Sequence, residues 1–115
     1  MPALNFHKQF APAVEDGSKR QTIRALRKHP IRSGDHLYHY TGMVTKACRK
    51  LREDIATEAV HIEIDEDAIV VGANPLTQHE KIELAHADGF NNLDEFMLFF
   101  RKNHGLPFAG QLIKW

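Results

Sequence analysis

Residues 17–24 read Gly-Ser-Lys-Arg-Gln-Thr-Ile-Arg, and this stretch marks a change from helical to strand periodicity near the start of the chain. The apolar side chains of residues 10–14 before it have helical spacing. Gly17 is the residue type that most readily takes the left-handed conformation in which helices end. From residue 19 to residue 24 the side chains alternate between two faces, as they do along a strand. The stretch therefore predicts a short helix, a glycine and a strand.

Further along the chain, the pattern consists of short strands and two well-marked helices. Thr77 with Glu80, and Asn92 with Glu95, have the spacing of capping boxes, so we predict that helices begin there and that the first ends at Gly89. Without regular strand-helix alternation, the pattern favours an α+β domain on a small mixed or antiparallel β-barrel with about three peripheral helices. The other predicted strands cover residues 3–6, 36–41, 59–64 and 111–115, and residues 68–71 form a hairpin with 59–64. The periodicity of residues 45–51 does not distinguish a strand from a helix, and we favour a strand.

Length and composition indicate one folded domain spanning residues 1–115. No run of about 18 apolar residues is present, so no membrane partner is expected, and the N-terminus lacks the apolar stretch of a signal peptide. Cys48 is the only cysteine, which excludes an internal disulfide and favours a reducing, cytoplasmic location. We expect Cys48 itself to be buried, as free cysteines commonly are.

The net charge of zero conceals two halves of opposite sign. Residues 1–52 carry 11 Lys or Arg against 3 Asp or Glu, whereas residues 53–115 carry 4 against 12, so the halves bear +8 and −8. A basic surface near a cleft would attract phosphates and nucleic acid. Alternatively, the two halves neutralise each other across the fold.

Three residues of the opening stretch carry the candidate chemistry. A partly desolvated Lys19 can act as a base, the Thr22 hydroxyl as a nucleophile or donor, and Arg24 can bind a phosphate or a base edge with its planar fork. On a regular strand Lys19 and Thr22 start on opposite faces, so they share a site only if the strand twists or bulges, or if Lys19 lies in the turn after Gly17. Alternatively, Lys19 contacts a phosphate or is an ordinary surface lysine. Thr22 can instead be an ordinary β-branched strand residue, and Arg24 a structural ion-pair partner.

Together with Gly34-Asp35, the strand at residues 37–40 and Asp88-Gly89-Phe90 before a helix, this stretch resembles the ASCH domain, a family of the PUA-like superfamily. The resemblance covers nearly the whole chain. It implies a PUA-like β-barrel with a cleft on which the signature residues converge, in a family linked to RNA binding.

One branch of that family is an amidohydrolase that deacetylates N4-acetylcytidine with a Lys base, a Thr nucleophile and a Glu acid. Lys19 and Thr22 match the first two positions. At the third, this chain has Asp88, which is one methylene group shorter, while Glu83 lies a full helical turn earlier. Displacement of a catalytic group by about 1 Å can lower a rate by orders of magnitude.

From these features we expect RNA or a nucleoside as the ligand. The alternatives are amidohydrolase activity on N4-acetylcytidine-type nucleosides, a ribonuclease, for which no dedicated motif is present, and a protein-interaction module. The eight histidines are scattered and no metal or other cofactor is expected. The candidate catalytic residues are Lys19, Thr22 and Asp88, and the candidate ligand-binding residues are Gly17, Arg20, Arg24 and Tyr40, the last on a strand face that could stack a base or simply pack.

Overall fold

The computed structural model describes residues 2–115. These residues form eight strands and three helices. The helices are α1 (Ala11–Asp16), α2 (Gln78–Ala87) and α3 (Leu93–Asn103). The strands are β1 (Ala3–Phe6), β2 (Gln21–Ala25), β3 (His36–Thr41), β4 (Arg49–Ile55), β5 (Glu58–Ile64), β6 (Ile69–Val71), β7 (Asn74–Pro75) and β8 (Phe108–Lys114).

The strands lie in two sheets, one of three strands in the order β1-β3-β4 and one of five in the order β2-β8-β5-β6-β7. β1 pairs in parallel with β3, whereas the other pairs are antiparallel. The predicted α+β class with mixed pairing is therefore confirmed. Over residues 2–115 the two sheets do not join into one closed ring of hydrogen-bonded strands.

The helix ends follow the predicted local signals. Gly17 ends α1 at φ 87°, in the left-handed conformation that a side chain would disfavour. Thr77 and Glu80 form the complete capping box of α2. At α3, the Asn92 side chain accepts the Glu95 N–H at 2.8 Å, but the Glu95 carboxylate accepts from Asn91 N–H at 3.3 Å rather than from Asn92. Both predicted helix starts are confirmed, although the second capping box has only one of its two hydrogen bonds, the one from Glu95 N–H to the Asn92 side chain.

Three local expectations need correction. The ambiguous segment at 45–51 becomes strand only from Arg49, because residues 42–48 form a looped connection, and β4 continues to Ile55. Cys48, expected to be buried, is exposed since it lies in that connection. The last strand begins at Phe108, earlier than predicted.

Buried apolar side chains come from both sheets and from all three helices. Phe96 and Phe100 of α3 are buried, and the Phe100 ring lies 5.3 Å from that of Phe108 on β8. Burying each such ring contributes about 1.5–3 kcal/mol. Phe6 of β1 contacts Trp115 at 6.1 Å between ring centroids, which joins the smaller sheet to the larger. No helix among the described residues is both long and apolar enough to cross a membrane.

Candidate functional site

Lys19 lies between α1 and β2, before the strand begins. Its N–H donates to the carbonyl of Ala13 at 2.9 Å, which folds the chain back over the end of α1 after Gly17. The Lys19 side chain is turned inward and is only 3% exposed. Of the arrangements that would let Lys19 and Thr22 share a site, the turn after Gly17 is the one observed.

The Lys19 ammonium group is held by Asp88 at the end of α2. Lys19 Nζ donates to the main-chain oxygen of Asp88 at 2.5 Å and to its Oδ1 at 3.2 Å, and Gln21 Nε2 lies 3.5 Å from the same Oδ1. Gly89 follows at φ 98°, and a Cβ there would lie 3.0 Å from the Phe10 ring. The glycine therefore lets the chain turn closely over Lys19 and Phe10.

Burial moves the pKa values of both partners towards their neutral forms. It lowers the pKa of Lys19 and raises the pKa of Asp88, while the attraction between the two charges opposes both shifts. The positive charge of Arg24 further lowers the pKa of Lys19. An ionic pair and a neutral pair would each hold one proton between the two side chains.

Thr22 and Arg24 are two residues apart on β2 and so share one face of the strand. Arg24 Nε donates to Thr22 Oγ1 at 3.0 Å, and the guanidinium lies 4.7 Å from the centroid of the Phe6 ring. Burial lowers the pKa of Arg24 to about 10, so the group stays charged at neutral pH. Its two terminal nitrogens have no hydrogen-bond partner within residues 2–115, and neither is sealed from solvent.

These four side chains meet in one cavity of about 260 Å³. Its lining combines these polar side chains with the rings of four phenylalanines and two histidines. Such a combination is typical of small-molecule sites, in which a few polar groups orient a ligand held by apolar contacts. The lining residues are Asn5, Phe6, His7, Phe10, Lys19, Thr22, Ile23, Arg24, Asp88, Phe99, Phe100 and His104.

Three predicted ligand-binding residues lie outside this cavity. Gly17 ends α1. Arg20 projects from the connection before β2, where its Nε donates to the main-chain oxygen of Trp115 at 3.1 Å. Tyr40 lies on β3 beside a register shift, with Lys50 of β4 as its cross-strand neighbour. The structure thus brings together Lys19, Thr22, Arg24 and Asp88, and leaves the other three apart.

The aromatic part of the wall was not predicted from the sequence. Phe99 was not among the predicted site residues, although its ring is only partly buried and lies 5.3 Å from that of His7. His7 and His104 were treated as scattered histidines, yet both line the cavity. The helical spacing of Phe96, Phe99 and Phe100 was visible, but it does not show which ring lies at the edge of the core.

A second buried ionisable cluster lies on the smaller sheet, outside the cavity. His39 on β3 is fully buried, and its Nε2 is 3.2 Å from Asp54 Oδ2 but outside hydrogen-bonding geometry. Arg52 holds the Asp54 carboxylate through two bonds of 2.8 and 3.0 Å. Burial lowers the pKa of His39 to about 4, so its ring is neutral near pH 7. Between residues 2 and 115, no group of three or more His, Cys, Asp or Glu side chains is arranged to hold a metal ion.

No protein-family model matches the chain, and searches of curated proteins and of solved structures give no significant match either.

Proposed function

We propose that this protein binds RNA or a nucleoside by taking a nucleobase into the cavity lined by Lys19, Thr22, Arg24 and Asp88. The observation that carries the proposal is the meeting of a charged, hydrogen-bonding wall with aromatic rings in a single small space. A nucleobase has both matching features, since its faces stack on aromatic rings and its edges carry donors and acceptors.

The size of the cavity limits the class of ligand. The cavity has a volume of about 260 Å³. Sites that enclose drug-sized ligands are larger, at about 300–1,000 Å³. A single heteroaromatic ring fits this space, while a sugar and any phosphate would remain at or beyond the mouth.

The free side of Arg24 suggests which edge of the ligand it meets. Its Nε is occupied by Thr22, and the two remaining nitrogens form a planar pair of donors. A planar donor pair matches two adjacent acceptors, as on the edge of cytosine or guanine or on a phosphate. Burial strengthens such a contact because water does not compete well for the guanidinium.

The motif supports the same proposal. Lys19, Thr22 and Arg24 match the signature positions of the ASCH domain that the sequence resembles, and Asp88 belongs to the Asp-Gly-Phe element that precedes the last helix. We propose that the two sheets correspond to the PUA-like barrel of that family and that the cavity corresponds to its cleft. The proposal rests on the order of these motifs along the chain.

Calorimetric titration with cytidine, N4-acetylcytidine, uridine, guanosine and adenosine tests the proposal. We expect at least one nucleoside to bind, and Arg24→Ala to weaken binding about tenfold to hundredfold, as for loss of a charged hydrogen bond. Arg24→Lys should rescue only part of the affinity because it keeps the charge without the fork. Arg101→Ala is the matched control, since Arg101 pairs with Glu66 on the surface. Binding that is unchanged in Arg24→Ala would contradict the proposal.

The second candidate is an amidohydrolase acting on N4-acylated cytidine. The observation in its favour is the opposite direction of two pKa shifts, which makes Lys19 more readily a base and Asp88 more readily an acid. Thr22 Oγ1 would attack the acyl carbon and give its proton to Lys19, Asp88 would protonate the departing N4 nitrogen, and water would then hydrolyse the acyl-threonine ester. In the structure Lys19 bonds to Asp88 and not to Thr22, so binding is the leading proposal.

The enzyme proposal is tested by incubating the protein with N4-acetylcytidine and measuring the release of cytidine by chromatography. Thr22→Ala should abolish release, whereas Thr22→Ser keeps a hydroxyl and should retain part of it. Asp88→Asn should lower the rate without preventing substrate binding. Release that persists in Thr22→Ala would rule out this mechanism, and no release from the wild type would leave binding as the function.

A further inference from the structure

Three concave surfaces meet at His7. The cavity shares Asn5, Phe6 and His7 with a groove of about 590 Å³ between α1 and the β3–β4 connection, here called the α1 groove. It shares His7 and Phe99 with a second groove of about 580 Å³ along α3, here called the α3 groove. Of the described residues, His7 alone lines all three, so the mouth of the cavity continues in two directions.

Each groove carries a lysine without an acidic partner. Lys8 in the α1 groove has no ion pair with any described residue, while the neighbouring Arg49 is neutralised by Glu15 at 2.6 Å. Within the described chain Lys102 in the α3 groove is likewise unpaired. The carboxylate in that groove, Glu95, accepts from the Asn91 N–H at the start of α3. Lys8 thus adds an unpaired positive charge to the α1 groove, whereas Lys102 shares the α3 groove with the negative charge of Glu95, with which it forms no ion pair.

The residue at the junction offers a surface on which a base can stack. His7 is exposed, and its ring meets Phe99 edge-on at 5.3 Å and Phe10 at 6.3 Å between centroids. These contacts support the imidazole and leave part of it open to solvent. A ring fixed in this way is a suitable platform for an unpaired base.

We propose that the ligand is a single-stranded nucleic acid several nucleotides long, which crosses His7 from the α1 groove to the α3 groove. One base enters the cavity, and Lys8 and Lys102 contact phosphates on either side of it. A free nucleoside would use neither lysine nor either groove. This inference rests on the proposed function, because the strand is anchored by the base in the cavity.

The inference is tested by fluorescence anisotropy with labelled oligonucleotides. A length of about six nucleotides lies near the lower end of known site sizes, which are about 4–16 nucleotides. Ribose and deoxyribose versions are compared with the best-binding nucleoside between 50 and 200 mM salt. Two phosphate contacts should give a slope of log K against log salt of about −1.4, from about −0.7 per contact on a single strand. Lys8→Ala and Lys102→Ala should each flatten the slope by about 0.7 and leave nucleoside affinity unchanged.

Lys81→Ala is the matched control, because Lys81 lies on α2 and donates to the Asp67 main chain, away from both grooves. An oligonucleotide that binds no more tightly than the nucleoside, or a salt slope unaffected by both lysine variants, overturns the strand inference and leaves nucleoside binding intact. Oligonucleotide affinity that is unchanged in Arg24→Ala also overturns it, since no base would then enter the cavity. If neither ligand binds, the proposed function fails as well. Equal binding of the ribose and deoxyribose oligonucleotides supports the proposed route across His7. Tighter binding of the ribose oligonucleotide supports it too, and indicates contacts to the 2′-hydroxyl.

Discussion

Replacing Lys19 with methionine should make the stability of this protein fall as the pH rises. In the wild type, the buried Lys19–Asp88 pair holds one proton in either of its forms, so it adds little pH dependence near neutrality. Lys19→Met removes the ammonium that favours ionised Asp88, and the pKa of this buried carboxyl, already above its ordinary value of 3.8, rises further. A folded-state pKa above the unfolded value stabilises the fold at low pH, and that contribution is lost as the pH rises towards the folded pKa.

The expected size follows from proton linkage. Each pH unit between the unfolded and folded pKa values of Asp88 lowers the free energy of unfolding by about 1.4 kcal/mol. Between pH 5 and pH 7 the loss reaches about 2.7 kcal/mol if Asp88 stays protonated in the folded variant. That value approaches the ~3–5 kcal/mol that breaking a buried ion pair commonly costs.

Urea denaturation at pH 5, 6 and 7, followed by the fluorescence of the buried Trp115, measures this effect. Subtracting the wild-type values removes contributions from other titrating groups, such as His39. The double variant Lys19→Met with Asp88→Asn should lose this pH dependence because no titrating group remains at the position of the pair. The control variant Lys81→Met, at a partly exposed lysine, should not show it either. A stability difference between Lys19→Met and the wild type that is the same at all three pH values would refute the reasoning.

Three further predictions concern stability alone. The pKa of His39 is lowered to about 4 from 6.5, so the free energy of unfolding should fall as the pH drops through this interval, and His39→Phe should remove most of that slope in urea titrations. A Cβ at Gly110 would lie 2.1 Å from the Arg24 carbonyl oxygen, so Gly110→Ala should destabilise the β2–β8 pair by about 3 kcal/mol; an unchanged melting temperature would contradict the contact. Val44 is fully exposed at φ 58°, so Val44→Asn should stabilise the protein by about 1 kcal/mol in chemical denaturation; equal stabilities would mean that this conformation is unstrained.

Local signals predicted most of the elements, because each signal acts over a few residues. The box at Thr77 and Glu80 identified the start of α2, and Gly17 identified the end of α1. The alternation at residues 59–64, followed by a turn, identified the β5–β6 hairpin. Where the signal was weak, as at residues 45–51, the boundary was displaced by several positions.

Long-range arrangement could not be read from those signals. Nothing local shows that β2 pairs with β8, or that β1 lies parallel to β3 in a separate sheet. The same limit applies to the site. Tyr40 had a suitable chemistry and a suitable strand, yet it lies outside the cavity, whereas Phe99, which was not predicted as a site residue, lines the wall. Which neighbours surround a side chain depends on pairings that the spacing of residues along the chain does not specify.

The contact between Lys19 and Asp88 joins residues 69 positions apart. β2, which carries Thr22 and Arg24, is likewise held by β8 near the end of the sequence. During synthesis, the basic first half therefore emerges from the ribosome with its charges but without the cavity. The proposed recognition of a base would therefore have to wait until β8 has been made and docked, and until then the growing chain carries the charge of its first half without the cavity.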